Sequence, residues 1–346
     1  MLNLTALFEI HFKWPSILSG ELAAFVLLVF FGLFSTLEFI FPREKLPTKA
    51  LRRSYKTNIS LFVFNSTVMS LLSISSLFLL AQRYSHQGLL RYLDNPLWQA
   101  VLSFVLLDLL LYLWHKACHH FDHLWMFHRV HHNDPYLNIS TAFRIHVIEL
   151  LITNVLKAAY IVLLGIDQVM VLVNEAIITL FVMFHHTNIT FKGEKLLGHA
   201  IIVPSLHRTH HSVQRHEHDS NYGAVLSLWD RLFGSLTACK PAAIGIDGHS
   251  PQDFIPLLRF GFSLPPLPPA QPLAADLEVM IAEAAYYKAE KRNFHPGYEL
   301  LDWLDAKKEI IKLVYGDQAL LKRPTGKAQR NGFKLRDLNI IHALRQ

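Results

Sequence analysis

The sequence is poor in charge and in cysteine. Asp, Glu, Lys and Arg make up 17% of the 346 residues, against about 25% in an ordinary soluble domain. With 51% hydrophobic residues, this composition argues against a disordered chain, a nucleic-acid-binding protein and a typical cytosolic enzyme. Two cysteines, Cys118 and Cys239, are too few for a disulfide framework. The net charge of +6 comes from basic residues beside apolar runs, a pattern typical of membrane proteins.

Long apolar runs predict helices that cross a membrane. Leu22–Leu37 and Asn58–Gln82 carry no charge, and Pro96–Trp114 carries a single acidic residue. At about 1.5 Å per residue, roughly 20 helical residues cross the ~30 Å hydrocarbon core. Val147–Gly165 and Ile166–Phe184 contain more charge, so we expect them to form a weaker helical hairpin. The alternative, a large soluble helical core, is disfavoured because buried helices seldom run this long without polar interruption.

Basic residues predict the orientation of these helices. The segment between the first two runs holds six of them: Arg43, Lys45, Lys49, Arg52, Arg53 and Lys56. Short loops rich in Lys and Arg stay in the cytoplasm. Counting spans from this loop then places the histidine clusters described below, and the C-terminal tail, on the cytoplasmic side.

Histidine is the outlier in composition. The chain has 21 histidines, and 16 of them lie between His115 and His218. They form three boxes with similar spacing, which read His115-Lys-Ala-Cys-His119-His120, His128-Arg-Val-His131-His132 and His207-Arg-Thr-His210-His211. Spacings of three and four place side chains on one face of a helix. His146 and the pair His185-His186 stand at the two ends of the predicted hairpin.

The number of imidazoles favours two metal ions over one. The boxes with one histidine of the His185-His186 pair offer eight or nine ring nitrogens, whereas a tetrahedral zinc needs four ligands. Imidazole binds iron, zinc and copper alike, so ligand type alone does not select the metal. A lone histidine is usually a satisfied core or surface residue, and a storage tract is usually low-complexity. Neither alternative explains three boxes that repeat one spacing at the ends of apolar helices.

The boxes and their neighbours resemble the membrane-bound fatty acid hydroxylase / sterol desaturase superfamily over roughly residues 20–240. The resemblance rests on several separated motifs in the same order: Asp108-x3-Tyr112-x2-His115, Leu124-Trp125-x2-His128-Arg129-Val130-His131-His132, Ser140-Thr141-Ala142-Phe143-Arg144-x-His146-x2-Glu149, Phe184-x-His186-x-Asn188, His207 to Ser212, Ser220-Asn221-Tyr222-Gly223 and Leu228-Trp229-Asp230-Arg231-Leu232-Phe233-Gly234. It implies a non-haem di-iron centre that uses O2 to hydroxylate or desaturate a C–H bond of a lipid.

The resemblance also implies roles for individual residues. The metal ligands that it implies are His115, His119, His128, His131, His132, His186, His207, His210 and His211, with His120 and His185 as alternatives within their pairs. It places His146 and Asn221 as supporting catalytic residues. Asp108 and Glu149 are expected to orient imidazole N–H groups. The implied cofactor is two iron ions, with zinc as the alternative metal.

A lipid substrate is expected to enter sideways from the bilayer. Candidate residues for the walls of its cavity are Phe104, Leu107, Leu111, Ile177, Leu180 and Phe184. The chain has no dinucleotide-binding glycine loop, and His295-Pro-Gly-Tyr298 is only half of a b-type haem motif. The two electrons therefore require a separate donor, such as a reductase, ferredoxin or cytochrome. The competing hypothesis is a metal-dependent membrane protein without redox chemistry, such as a zinc-dependent hydrolase or a metal transporter.

The expected fold is all-α: a membrane helical bundle capped by a cytoplasmic histidine-rich region, with a small C-terminal helical hairpin. The predicted divisions are transmembrane helices at 1–95, the catalytic region at 96–240, a linker at 241–272 that is Pro-rich at its end, a small helical domain at 273–320 and a basic tail at 321–346. The helix–Pro-Gly–helix pattern of 276–315 resembles a small bacterial domain of unknown function. We therefore expect an integral protein of a bacterial inner membrane.

Overall fold

The computed structural model describes residues 20–72, 77–248, 250–263 and 274–315. Within these ranges the regular elements are helices, and β pairing is limited to isolated bridges such as Pro42 with Ile189. The all-α prediction is confirmed. The chain divides into two compact units, Met1–Pro265 and Pro266–Gln346, which are described separately below.

Within the described residues of the first unit, four helices are long and apolar enough to cross a membrane: α1 (Gly20–Ile40), α4 (Pro96–His120), α6 (Val147–Leu164) and α7 (Gln168–His186). They correspond to the first and third predicted spans and to both arms of the predicted hairpin. Gly165, in the left-handed conformation (φ 72°), ends α6, and the Asp167 side chain accepts a hydrogen bond from the Met170 amide to begin α7. A glycine at this position permits the tight turn between the two helices.

The second predicted span is different in the structure. The apolar run Asn58–Gln82 is divided between α2 (Thr48–Leu71) and α3 (Leu77–Tyr84), and α2 is not among the four candidate spans. It begins within the basic loop and buries Ser54, Thr57, Asn58 and Asn65 in addition to Leu61. Polar side chains face the protein along α2, so the absence of charge did not indicate a helix surrounded by lipid.

The remaining helices of the first unit are short. They are α5 (Asp122–His132), α8 (Glu194–Leu197), α9 (Pro204–His210), α10 (Arg215–His218), α11 (Leu228–Leu232) and α12 (Phe254–Phe260), with 3-10 turns at Leu89–Tyr92 and Ile139–Phe143. The main hydrophobic core lies among α3, α4, α6 and α7, where Leu107, Ile161 and Ile178 are buried. Burial of apolar surface holds these helices together, and their ends place the histidines at one end of the bundle.

Part of the predicted linker is folded against the histidine region. The Asn133 side chain donates to the Pro251 carbonyl (2.7 Å), and the Thr57 hydroxyl donates to the Gln252 carbonyl (2.8 Å). The helix α12 packs on α5 and α2. The Pro-rich end of the linker at 264–272, the tail at 321–346, and His11, His249 and His342 lie outside the described residues.

The described part of the second unit, residues 274–315, consists of two helices, α13 (Ala274–Lys291) and α14 (Glu299–Tyr315), that pack against each other. Ile281, Ala285 and Ala306 form their buried core. Lys288 donates to Glu309 across the pair (2.7 Å). This is the helical hairpin predicted from the sequence.

Candidate metal centre

Four helices bring nine histidines to one place. His115 and His119 lie in the last two turns of α4, and α5 carries His128, His131 and His132. The last residue of α7 is His186, and α9 carries His207 and His210, with His211 as its C-cap. All nine are residues that the family resemblance implies as ligands.

The nine side chains form two adjacent groups. One group is His115, His119, His128, His132 and His210, and the other is His131, His186, His207 and His211. Within each group the candidate ligand atoms lie within 4.8 Å of one another. Successive residues of a helix point about 100° apart, which is why the neighbours His131 and His132 fall in different groups, as do His210 and His211. The groups touch where the His132 and His211 rings stack, with centroids 4.5 Å apart.

Ring nitrogens converge inside each group. Nε2 of His115 lies 3.0 Å from Nε2 of His128, and Nε2 of His186 lies 3.1 Å from that of His131 and 2.9 Å from that of His207. A neutral imidazole has one N–H, and where that hydrogen is on Nδ1 the Nε2 atom is only an acceptor. Several acceptor lone pairs directed at one point repel each other unless a cation lies between them.

Five of the rings are oriented by contacts on their outer side. The Nδ1 atoms of His115, His186 and His210 face the carbonyl oxygens of Tyr222 (2.8 Å), Val182 (2.7 Å) and Ser220 (2.6 Å). Those of His128 and His119 face the carboxylates of Glu149 (2.7 Å) and Asp219 (3.2 Å). An oxygen at Nδ1 holds the hydrogen there and leaves the Nε2 lone pair directed at the centre, as in metal-bound histidines.

Other ring nitrogens have no partner. Nδ1 of His132, His207 and His211 and Nε2 of His210 are buried without a hydrogen bond among the described residues. Burial, with a further contribution from neighbouring imidazoles, holds the pKa of each of these four histidines well below the ordinary value. The rings are therefore neutral, the form that binds a metal. The unpartnered ring nitrogens and the neutral state of the rings both fit a metal centre.

An apolar cavity of about 210 Å³ reaches the centre between α4, α6 and α7. Its inner end is formed by five of the nine histidines, His115, His128, His131, His186 and His207, which come from both groups. Leu111, Trp114, Leu150, Ile178 and Val182 line its sides. Of the predicted wall residues only Leu111 is among those lining it. Phe104 and Leu107 belong to the main core, and Leu180 packs in the cluster that includes α1.

The segment from residue 100 to residue 235 matches the sequence model of the fatty acid hydroxylase family. This match agrees with the resemblance that the histidine boxes and their neighbours predict. The matched segment contains all nine histidines of the two groups, Glu149 and the cavity-lining residues named above. Residues 276–311 match a family described as a protein of unknown function, DUF2934, which agrees with the resemblance predicted for the C-terminal helices.

Curated relatives are similar to part of the chain. Ornithine lipid hydroxylase OlsE of Rhizobium tropici is 32% identical over 168 residues, which cover 48% of this chain and 50% of the relative. Alkylglycerol monooxygenase of Caenorhabditis elegans is 31% identical over 148 residues (42% and 28%), and that of Danio rerio is 31% identical over 139 residues (40% and 30%). The chain thus spans half or less of these relatives. No solved structure matches it significantly.

Within the matched segment, the structure distinguishes between the paired histidines. His120 is exposed and belongs to neither group, whereas His119 is buried in the first. His185 is buried with its ring 4.0 Å from that of His207, but it also belongs to neither group. The geometry therefore favours His119 and His186 as the ligand candidates of their pairs.

The two acidic residues have different environments. Glu149 contacts His128, as predicted. The prediction for Asp108 is wrong, because its carboxylate accepts hydrogen bonds from the amides of Val225 (2.9 Å) and Leu226 (3.1 Å) and from the Trp229 indole (2.9 Å). It joins α4 to the chain around α11.

His146 and Asn221 lie outside both groups. His146 caps α6, where its Nδ1 accepts from the Ile148 amide (3.2 Å), and its ring stacks on Phe127. The Asn221 side chain donates to the carbonyls of Leu206 (2.9 Å) and Thr237 (2.6 Å). Both residues stabilise the local structure through these contacts, and a catalytic role for them remains a prediction.

Sequence reasoning missed Asp219, His218 and Cys118. Asp219 orients His119, and the His218 ring stacks on Trp125 at 5.2 Å. Cys118 Sγ lies within 4.8 Å of candidate ligand atoms of His128 and Glu149. Asp219 could have been found from its position directly before the Ser220-Asn221-Tyr222-Gly223 motif. This segment supplies the carbonyl oxygens that face His115 and His210.

Replacing Asn221 by alanine is expected to weaken the metal centre through this segment. Asn221 has φ 53°, a conformation that asparagine tolerates better than alanine. The change removes three side-chain hydrogen bonds, at a combined cost of about 2–4 kcal/mol in stability. We expect metal affinity to fall about tenfold or more, because outer contacts orient ligands. Metal titration of the purified protein measures this.

The matched control is Asn293→Ala, which changes another left-handed asparagine (φ 56°) in the second unit. It should leave metal affinity unchanged. Equal metal affinity in Asn221→Ala and the wild-type protein would contradict the supporting role.

Proposed function

We propose that this protein is a membrane-bound di-iron lipid oxygenase that inserts oxygen into a C–H bond of an acyl, alkyl or sterol substrate, or desaturates it. The observation that carries the proposal is the apolar cavity whose inner wall contains histidines of both groups. A chain in this cavity would bring one carbon to both metal positions at once. Hydroxylation is favoured over desaturation by the names of the relatives, a lipid hydroxylase and alkylglycerol monooxygenases.

The stoichiometry of hydroxylation agrees with what the site would have to manage. The reaction consumes a C–H bond, O2, two electrons and two protons, and it yields an alcohol and water. Two iron ions, bound by the groups of five and four nitrogens, would supply the activation of O2 and the oxidation of an unactivated C–H bond. The two electrons would come from a separate donor protein, such as a reductase, ferredoxin or cytochrome.

The residues of this chain would hold the metal ions, orient the ligand side chains and enclose the substrate. Leu111, Ile178 and Val182 provide an apolar wall for the hydrocarbon part of the substrate and keep water from the reacting carbon. Glu149 fixes the tautomer of His128 at the edge of this cavity. The cavity lies between three candidate spans, so a lipid would enter it from the bilayer without passing through water.

We place the histidine groups on the cytoplasmic side of the membrane. The Arg43 amide donates to the Asn188 carbonyl (2.7 Å), which lies two residues after His186. The basic loop at 43–56 and the histidine end of α7 are therefore on the same side of the protein. This contact supports the positive-inside orientation. It does not depend on counting spans, a count that changes because α2 is not a candidate span.

The test is expression in a heterologous bacterium that lacks the gene, with lipid analysis under 18O2 and metal analysis of the purified protein. We expect about two irons per chain and a lipid product that carries one 18O atom. Matched cells that express His119→Ala should make none, whereas cells with His120→Ala should make the same product as the wild type.

The alternative function predicts a different outcome. A zinc-dependent hydrolase or a metal transporter would hold zinc tightly and give no O2-dependent product, even after iron loading and supply of reductant. That result, with the protein folded and inserted in the membrane, would overturn the proposal.

A further inference from the structure

A second opening lies on the other side of α9 from the lipid cavity. This groove, of about 770 Å³, has an apolar floor that includes Val203, Leu206 and Leu236. Five Arg and Lys side chains line it against one carboxylate: Arg43, Lys195, Arg208, Arg231 and Lys240 against Glu44. We call it the basic groove. None of the nine candidate metal ligands lines it, so it is distinct from the metal centre.

The basic groove is close to the metal centre through α9. Ser205, Leu206 and Arg208 face the groove, while His207 and His210 of the same short helix face the centre. Arg208 is buried at the groove, where its Nη2 contacts Glu44 at 2.5 Å. A single peptide bond joins Arg208 to His207. The covalent path from the groove to the second histidine group, along which an electron could pass, is therefore the one peptide bond between Arg208 and His207.

The rim of the groove is built for a transient partner. Lys195, Arg231 and Lys240 are exposed at its edge, and Leu196 beside them is 77% exposed. Electron-transfer complexes are small and depend on complementary charge, which raises the association rate. Arg43 and Arg208 are already paired, with Glu194 and Glu44 respectively. An acidic surface fits the rim because Lys195, Arg231 and Lys240 have no carboxylate partner within the described residues.

We propose that the basic groove is the docking site of an acidic electron-carrier protein, which delivers electrons to the metal centre through α9. The inference rests on the proposed function, since only a redox enzyme needs such a partner. Each docking event moves one electron from the reduced carrier to the metal centre, so two events supply the pair that the reaction consumes.

The test measures binding directly. The full-length protein in nanodiscs of zwitterionic lipid is titrated with two acidic probes, a plant-type [2Fe–2S] ferredoxin and the soluble domain of a b-type cytochrome. For wild-type protein we expect binding of at least one probe that weakens steeply with salt. The double variant Lys195→Glu/Lys240→Glu should bind that probe about tenfold or more weakly at low ionic strength, with a smaller difference at high salt because exposed charges are screened.

Two matched variants act as controls. Arg52→Glu/Lys56→Glu reverses two exposed charges on α2, away from the groove, and should bind nearly as the wild type does. Lys116→Glu changes a third opening, separate from the basic groove, which His119 and Tyr222 line. Loss of binding in this variant, with normal binding in the groove variant, would assign docking to that opening and overturn the proposal.

The remaining outcomes are also decisive. Absence of salt-dependent binding of both probes to the wild type would overturn the proposal. So would a groove variant that binds the probes normally but loses binding to phosphatidylglycerol vesicles, because the groove would then be a site for anionic membrane lipid. These assays need neither metal nor substrate. Failure of the proposed function would instead appear as absence of an O2-dependent product while the carrier still binds and docks.

Discussion

Alanine at His131 or at His210 is expected to abolish lipid oxidation while the protein still folds and inserts. The two residues belong to different groups, and each is buried among candidate ligands of its own group. His131 Nε2 lies 3.1 Å from that of His186, and His210 is held by the Ser220 carbonyl at 2.6 Å. Removing either ring takes one nitrogen from one metal position and leaves the other position complete.

The metal content of these variants separates the ligand role from a general loss of structure. We expect each variant to retain about one iron per chain where the wild type retains about two, with product formation reduced at least about a thousandfold. Elemental analysis and quantification of the lipid product measure both quantities. Loss of both ions from each variant would indicate a single shared site, and product above about a tenth of the wild-type amount would contradict the ligand assignment.

His120→Ala is the matched control for both variants. His120 is exposed and adjacent to His119, so it tests whether removing any histidine of a box is harmful. It should leave both metal content and product formation unchanged.

The positions of the histidines were predictable from the sequence because box spacing and helix ends are local features. Spacings of three and four fix which rings share a helix face, and the long apolar runs fixed where α4, α6 and α7 lie. The division into groups of five and four was not predictable. It depends on how α5 and α9 are rotated towards each other, and adjacent residues such as His131 and His132 separate only once that rotation is known.

Two other predictions differ from the structure, because neither hydropathy nor spacing in the sequence reveals what a side chain faces. The uncharged run in α2 suggested contact with lipid, whereas Asn58 and Asn65 face the protein interior. Asp108 stands seven residues before His115, which suggested an orienting role. Its carboxylate is instead directed at Val225, Leu226 and Trp229. Contacts between residues more than a hundred positions apart leave no local pattern in one sequence.

Arg144 is the centre of such a long-range network, which lies directly behind the metal centre. Its guanidinium is fully buried, with Nη1 3.8 Å from the Asp134 carboxylate and 3.1 Å from the Asn58 amide oxygen. Nε donates to the Val130 carbonyl (3.1 Å) and Nη2 to the Gln252 side chain (2.9 Å). The network thus ties α2, α5 and the segment before α12 together beside His131.

Arg144→Met is therefore expected to destabilise the protein by about 3–5 kcal/mol, the cost of leaving a buried charge without its partner. The charge left behind is that of Asp134, which is also fully buried. The control is Arg53→Met, which breaks an exposed pair with Asp253 (side chains 55% and 63% exposed) and should cost less than about 1 kcal/mol. Unfolding in detergent by denaturant measures both, and equal losses would contradict the argument.

The destabilisation caused by Arg144→Met is also expected to depend on pH. Burial alone would raise the pKa of Asp134, but Arg144 and hydrogen bonds from Ser54 and Asn58 hold it below the ordinary value. In the wild type this carboxylate adds stability above its unfolded pKa of about 3.9, and the contribution is lost as pH falls through the lower folded pKa. Without Arg144, burial raises the folded pKa, so the variant instead loses stability as pH rises through that value. The difference in unfolding free energy between the two proteins should therefore be larger at pH 7 than near pH 4, and a difference that is constant with pH would show that lost packing, not charge, causes the destabilisation.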